Sequence, residues 1–574
     1  MEREKLARLI NEIATFMDLL GENPFKVRAH QNVARIIETF QGDLDKSIET
    51  GAIGEVKGIG PALKEKIEEF YKTGEIKEHA KLQKKIPPEL LDLLRIPGLG
   101  PKKVRVIYEK LGIKTVGELE YACKENRLLK LDGFGEKSQS NILKNIEFIK
   151  KHGSSFLFSD AMLEAQVMSG VLRKVIGVLQ IEVAGSIRRR KEIIKDIDIL
   201  VASKDAKSVT KKFLELPNIE SITGSGETKT SVVLKNGMAC DLRVVSVEEF
   251  PFALLYFTGS KEHNTAIRQR AKDKGYKLNE YGLFKNEKPI QCRSESEIFE
   301  KLGIEFIPPE MRENLGEIEI AEKRNLPRLV ERDEIRGIFH CHTTDSDGIS
   351  SLEEMVAAAQ DLGFEYIGIS DHSATAIYAN GLKKDRVLDQ FRQIEALQKK
   401  FKIKIFKGVE SDILGDGDLD YDNTLLKKFD FVIGSIHGGF SQTEEKMTKR
   451  VLKAMKNPYF DFLGHPSGRL LLARDAFKID MHAVIDFAAE SGVAIELNAN
   501  PQRLDLDWRF GKYIRDKNAK VSINPDAHSV AGLEDVDFGV GIARKAWLSP
   551  KHVINILPSS KILGSLRRAR QLQA

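Results

Sequence analysis

Cysteine is scarce: Cys123, Cys240, Cys292 and Cys341 are scattered through 574 residues with no Cys-x-x-Cys pair. That usage fits a reducing compartment and argues against thiolate zinc sites. Long apolar runs are also missing, and none approaches the ~20 residues that a membrane-spanning helix needs. The opening Met-Glu-Arg-Glu-Lys-Leu has neither the charge pattern nor the apolar stretch of a signal peptide. A cytoplasmic protein with no membrane partner is expected. Net charge is slight, at +5, so any grip on nucleic acid must come from clustered basic residues. The remaining composition, 41% hydrophobic and 30% charged, is that of a globular chain. Its length allows roughly four domains, each with a core.

Up to about Lys150 the sequence reads as short amphipathic helices joined by glycine turns. From about Val167 to Leu302, strand-like runs (Ile197 to Val201, Ser231 to Leu234, Leu242 to Val245) alternate with helical stretches, which predicts an α+β domain. The stretch from Glu305 to Arg336, with Pro308, Pro309, Pro327 and many charges, reads as a connector. Beyond it, apolar runs at Tyr366 to Ser370, Ile403 to Gly408, Phe431 to Ser435, Val493 to Leu497 and Val521 to Ile523 alternate with helices. That rhythm suggests a β/α barrel.

Within the α+β part, Asp196 and Asp198 lie in Asp-Ile-Asp-Ile-Leu-Val. Residues two apart on a strand share a face, so both carboxylates aim at one point, and hard oxygen ligands that close suit Mg²⁺. Asp241, from a neighbouring strand, would close a site for paired ions of the kind used in phosphoryl transfer. Gly185-Ser186 ahead of the pair reads as a tight turn whose amides and hydroxyl hold a phosphate, with Arg189 placed to neutralise it.

A Gly-x-Gly turn followed by a helix recurs three times nearer the N-terminus, at Gly58 and Gly60, Gly98 and Gly100, and Gly133 and Gly135. Paired glycines let a backbone come close, and a helix N-terminus offers free amides to a phosphate. The second turn is followed by Lys102, Lys103 and Arg105. Three such turns together point to non-specific DNA backbone binding.

A second constellation follows the connector: His340, His342, Asp347, Asp371-His372, Glu410, His437, His465, Asp526 and His528. The pairs 340/342 and 526/528 have the spacing that puts two side chains on one face of a strand end. Six of the 12 histidines fall in this set. Imidazole mixed with carboxylate favours Zn²⁺, Mn²⁺ or Fe²⁺ over Mg²⁺.

The three patterns, in this order, resemble the bacterial and archaeal type of family X DNA polymerase, the polymerase beta group, carrying a C-terminal polymerase and histidinol phosphatase (PHP) domain. The resemblance continues at Tyr256-Phe257-Thr258-Gly259-Ser260, at Leu278-Asn279-Glu280-Tyr281 and at Ile307-Pro308-Pro309-Glu310-Met311-Arg312. It implies a lyase-like helical region over 1–85 and a fingers-like region over 86–155, both with helix-hairpin-helix motifs. A nucleotidyltransferase palm would follow over 156–240, extended by Asp241–Val247, then a thumb over 248–315, a linker over 316–335 and a distorted β/α barrel over 336–574. By the same resemblance Asp196 and Asp198 bind Mg²⁺ or Mn²⁺ and Asp241 orients or helps deprotonate the primer hydroxyl. Ser186 and Arg189 hold the triphosphate. Tyr256, Phe257 and Gly259 shape the pocket for sugar and base, and Asn264 and Arg268 touch nucleotide and template.

In the barrel the resemblance implies three ions of Mn²⁺ or Zn²⁺. His340, His342, Glu410 and Asp526 would hold one, Glu410 would bridge to a second held by His437 and His465, and Asp347, His372 and His528 would hold the third. Expected partners are gapped or primed duplex DNA and dNTPs, with the protein a monomer. The implied activities are short-gap filling in base excision repair, 3′–5′ exonuclease or abasic-site cleavage, and a lyase step at Lys66. Lys195 and Arg190 stand where the family commonly has glycine, which leaves a nuclease with a weakened polymerase site as the alternative.

Overall fold

Apolar residues at helical spacing, punctuated by Gly-x-Gly, shape the N-terminal part. The computed structural model describes residues 3–38, 40, 44–56, 58–124, 127–131, 133–152, 155–226 and 228–567. Two compact units result, Met1–Gly153 and Ser154–Ala574. In the first, helices α1 (Pro61–Thr73), α2 (Pro101–Leu111) and α3 (Glu136–His152) each start directly after a hairpin turn. The leading glycine of each turn has positive φ (104° at Gly58, 86° at Gly98, 85° at Gly133), which a side chain would disfavour.

The trailing glycines differ in conformation from the leading ones. Gly60 and Gly100 keep extended backbone, at φ −83° and −80°, and Gly135 is likewise outside the positive-φ set. A Cβ on Gly60, Gly100 or Gly135 would meet nothing within 4 Å, so neither backbone angle nor crowding inside the protein demands glycine there. These three residues are exposed and directly precede the helices. Pro61 and Pro101 occupy the first helical position, where a missing N–H costs nothing. Leu63, Ile67 and Phe70 of α1 and Val104 and Ile107 of α2 join one buried core. Lys57 and Asp132 of these turns lie outside the described residues.

The second unit begins with a five-stranded sheet: β1 (Val178–Val183), β2 (Asp196–Ser203), β3 (Ile219–Ser225), β4 (Lys229–Leu234) and β5 (Ala239–Val245). The spatial order is β1-β2-β5-β4-β3, with β2 and β5 parallel and the other pairs antiparallel. Alternation along β2 sends Ile197 and Ile199 into the core and leaves Asp196 and Asp198 on the other face. Two helices follow, the almost wholly apolar α4 (Phe250–Thr258) and α5 (Lys261–Asp273), the latter capped by Ser260 Oγ, which accepts from the His263 amide at 3.2 Å. The stretch read as a linker is partly packed: Glu317, fully buried, is 2.7 Å from His263 Nδ1 and starts the short helix Glu317–Glu322.

Parallel strands then form the C-terminal part: β6 (Gly337–Ile338), β7 (Tyr366–Ile369), β8 (Lys404–Lys407), β9 (Glu410–Asp412), β10 (Ile433–Ser435), β11 (Phe462–Leu463), β12 (Ala494–Asn498) and β13 (Val521–Asn524). They pair as β6-β7-β8 and β9-β10-β11-β12-β13. Parallel bridges Cys341 to Ala527 and His372 to Glu410 join the two sheets into a ring. Phe339, Tyr366, Phe406, Phe431 and Phe462 fill one buried cluster, so the barrel is solid there. The helix α6 (Val536–Lys545) follows the last strand.

Candidate active sites

Register brings the palm carboxylates together. Asp198 of β2 lies directly opposite Asp241 of β5, and Asp196, two residues earlier, shares their face. Asp241 accepts from Ser231 Oγ at 2.6 Å and pairs with Lys229 Nζ at 2.7 Å. These partners take up its oxygens, and the three aspartates are not among the groups of described residues whose ligand atoms all lie within 4.8 Å. Burial, then the charges of Asp196 and Asp241, push the Asp198 carboxyl up to about 7. Like charges concentrated this way call for a cation, and an all-oxygen donor set suits Mg²⁺ or Mn²⁺.

Gly185 presses on this centre. At φ 61° its Cα faces Asp198, and a Cβ there would sit 2.2 Å from Asp198 Oδ2. Only glycine fits. The neighbouring Ser186 Oγ is buried without a hydrogen-bond partner, as expected of a hydroxyl that serves an anion. Arg189 runs past Gly259, its Nη1 donating to the Thr258 carbonyl and its Nε to Glu313 Oε1 at 3.1 Å. Arg188 is a structural anchor: it bonds both oxygens of Glu295, at 3.0 and 2.6 Å, and Thr258 Oγ1 at 2.7 Å.

Tyr256, Asn264 and Arg268 line one small cavity with Asn279, and Asn264 Nδ2 donates to the Tyr256 carbonyl at 2.6 Å. Phe257 stacks edge-on to Tyr256 and carries the Arg243 guanidinium 4.1 Å over its face. Arg190 adopts φ 55°, in the left-handed region that favours glycine, and its guanidinium lies over Phe158. Lys195 is exposed at the bend between Ile194 and the start of β2.

The barrel site is built around Glu410, which is almost fully buried. His340 and His437 Nε2 both lie 3.3 Å from its Oε1, His465 Nε2 2.9 Å, and His372 Nδ1 3.0 Å from Oε2. Asp526 faces His342 Nε2 at 3.2 Å and His340 Nε2 at 3.4 Å. Asp347 faces His528 at 3.4 Å and His372 at 3.5 Å. Three groups have ligand atoms close enough to share an ion: His340, His342 and Asp526; His372, Glu410 and His437; and His342, Asp347, His372 and His528. His372 thus stands between two groups, and so does His342. His340 Nε2 and both ring nitrogens of His342 are buried near carboxylates yet outside hydrogen-bonding geometry. Converging nitrogens that make no hydrogen bonds fit a cation cluster.

The electrostatics agree. Burial pushes Glu410 and Asp526 up, but the surrounding histidines hold both well below the ordinary carboxylate value. His437, depressed by burial but raised more by Glu410 and Asp412, reaches about 10, and His528, depressed by burial but raised more by Asp347 and Asp526, about 9. A raised value favours a proton on each of these two rings in the absence of a metal ion. His465 at φ 21° and Asp526 at φ 53° keep strained backbone, a feature that collects at functional sites.

Several side chains here escaped the sequence reading. Glu496, fully buried, sits 2.7 Å from His340 Nδ1 and accepts from the His465 amide at 2.7 Å. Asp412 pairs with His437 Nδ1. Arg503 brings a cation 3.5 Å from Asp526. Asp371, beside His372, instead accepts from Thr343 and Gln390. Cys341 packs into the hydrophobic core. Glu496 and Asp412 come from the separate strands β12 and β9 and Arg503 from a turn after β12, so no fixed spacing announces these three.

In the first unit, Lys102 is exposed, and Lys103 donates to the Gly98 carbonyl at 3.3 Å beside Phe134. Arg105 of the same run turns inward, to the Asp18 carbonyl at 3.0 Å. Gly60, Gly100 and Gly135 leave the space in front of α1, α2 and α3 open, and their own carbonyls accept from the first helical turns, at 3.0 Å each from Lys64, Val104 and Gln139. Only the bare backbone at these positions is available to a ligand. Lys66 is mostly covered and pairs with Glu78 at 2.8 Å.

Models of known families match four stretches: a helix-hairpin-helix domain over 1–76, a SAM-like helix-hairpin-helix tandem over 90–147, the DNA polymerase beta thumb over 253–313 and the PHP domain over 339–500. Over 573 residues, 99% of this chain and 100% of the relative, the sequence is 38% identical to the DNA polymerase/3′-5′ exonuclease PolX of Bacillus subtilis. The repair DNA polymerase X of African swine fever virus (isolate Warthog/Namibia/Wart80/1980) is 36% identical over 157 residues, 25% of this chain and 87% of its own. A probable phosphatase of Caldicellulosiruptor bescii is 34% identical over 239 residues, 38% of this chain and 89% of its own. A nucleotidyltransferase-type acidic face and a histidine-carboxylate barrel within one polypeptide define a polymerase coupled to a phosphoesterase. The chain belongs to the family X DNA polymerases that carry a C-terminal PHP domain.

Proposed function

We propose that the protein fills short gaps in duplex DNA, using dNTPs at the palm, and trims 3′ ends or cleaves abasic sites at the barrel, acting as a cytoplasmic monomer in base excision repair. Asp196, Asp198 and Asp241 would hold Mg²⁺ or Mn²⁺, which when bound neutralises the triphosphate and activates the primer hydroxyl. Ser186 and Arg189 receive the triphosphate. Tyr256, Phe257 and Gly259 cradle the sugar and base, while Asn264 and Arg268 meet nucleotide and template. His340, His342, Asp347, His372, Glu410, His437, His465, Asp526 and His528 would hold Mn²⁺ or Zn²⁺ for phosphodiester hydrolysis. The turns led by Gly58, Gly98 and Gly133, with Lys102 and Lys103, grip the DNA backbone. Gly60, Gly100 and Gly135 contribute there by bareness rather than by conformation, since a side chain would stand between the helix amides and a phosphate. Lys66, paired with Glu78 at 2.8 Å, would carry the lyase step if the helical region has one.

One observation carries the polymerase reading: Asp198 and Asp241 face one another on paired strands with Gly185 pressed against Asp198. The departures at 190 and 195 support it as well, because Arg190 leans on Phe158 and Lys195 is exposed. The test is a duplex with a one-nucleotide gap, given Mg²⁺ or Mn²⁺. Extension should be lost in Asp198→Ala and kept in His437→Ala, whereas 3′ degradation should show the reverse. Absence of extension by the unaltered protein in either metal refutes the polymerase.

A further inference from the structure

Lys545 closes α6 on the barrel, but its ammonium is spent elsewhere. The side chain is fully buried, and Nζ donates to the Arg189 carbonyl at 2.9 Å and to Glu313 Oε1 at 2.6 Å. Its Nζ lies 4.6 Å from the ring of Trp508, whose Nε1 donates to Glu192 Oε2 at 3.0 Å. Barrel side chains therefore grip both ends of the turn 189–192, just ahead of the strand that bears Asp196 and Asp198.

Glu313 Oε1 is shared. It accepts from Arg189 Nε at 3.1 Å as well as from Lys545, and the carboxylate is only 10% exposed. An arginine that turns to an incoming triphosphate must leave such a partner, and stranding a buried carboxylate is costly. With Lys545 in place Glu313 stays neutralised when Arg189 departs. Burial raises the Glu313 carboxyl, and Lys545, Arg189 and, 3.7 Å from its other oxygen, Lys191 together bring it below its ordinary value, with Lys545 the foremost of the three.

We propose that Lys545, a barrel residue, is a positioning residue of the polymerase site: by holding Glu313 and the Arg189 carbonyl, it releases the Arg189 guanidinium to the incoming nucleotide. The hydrolytic domain thereby completes the nucleotide pocket. This rests on Arg189 being the triphosphate ligand, as read above.

The experiment uses the full-length protein, with dNTP titrations on gapped duplex and 3′ degradation measured on the same preparations. Lys545→Met should raise the KM for dNTP about tenfold with kcat changed far less, the mark of lost nucleotide binding, and should leave degradation unchanged. Adding Glu313→Gln to it should restore KM, because an amide needs no cation, giving a double-mutant coupling between the two. Lys545→Gln, which keeps a donor for the carbonyl, serves where the methionine variant fails to fold, and the same rise in KM is expected. An unchanged KM, no rescue by Glu313→Gln, or a parallel loss of both activities overturns the proposal and makes Lys545 a domain staple only. Arg189→Ala separates the two layers: unaltered KM there refutes the triphosphate role itself, whereas a raised KM with Lys545 variants at the level of the unaltered protein refutes only the positioning.

Discussion

Changing Asp198 to asparagine removes a carboxyl that the fold resists ionising. That group is pushed from the ordinary 3.8 to about 7, first by burial and then by Asp196 and Asp241. A raised folded value means that stability present below pH ~4 is lost as pH climbs through the window to about 7. At ~1.4 kcal/mol per pH unit, the loss is at most about 4 kcal/mol at pH 8 and about 1.5 kcal/mol at pH 5. Asparagine keeps the shape and escapes the penalty. At the ~2 °C per kcal/mol typical of larger domains, Asp198→Asn in EDTA should melt up to about 8 °C higher than the unaltered protein at pH 8 and about 3 °C higher at pH 5. The same variant should not extend a gapped primer. Thermal unfolding at both pH values, beside the extension assay, checks this. No gain in melting temperature, or an equal gain at both pH values, would mean that Asp198 ionises freely and that its surroundings were misjudged.

Two further changes probe the barrel. Glu496→Gln, which loosens His340 and His465, should weaken metal binding about 10–100-fold, as lost outer partners of metal ligands do, with gap filling intact; calorimetric titration with Mn²⁺ measures it. Arg503→Gln removes the cation 3.5 Å from Asp526 and should raise the KM for a DNA 3′ end about tenfold; steady-state degradation at varied DNA concentration would expose the idea as wrong if KM stayed put.

Much of this architecture was legible because strand alternation and register are local rules. Asp196 and Asp198 share a face by their spacing alone, and the strand runs found around 197–201, 231–234 and 242–245 lie within observed strands. The glycine turns announced their helices equally plainly, although the pattern could not tell that Gly58, Gly98 and Gly133 carry the positive φ while Gly60, Gly100 and Gly135 do not. What stayed hidden depends on distant partners. Glu496 meets His340 across 156 residues and Lys545 meets Glu313 across 232, separations at which no spacing rule operates. The charged stretch after 315 looked like a solvated connector, because the burial of Glu317 against His263 cannot be seen without the fold. Arg189 was read as a phosphate ligand, but its resting bond to Glu313 was invisible for the same reason.

Of the rings around Glu410 and Asp347, His437 and His528 are the ones held well above the ordinary imidazole value. An ion that takes the place of the protons favoured on His437 and His528 sends those protons to solvent. Loading the barrel is in that sense an acid-producing reaction, which mild alkalinity drives forward and acidification reverses.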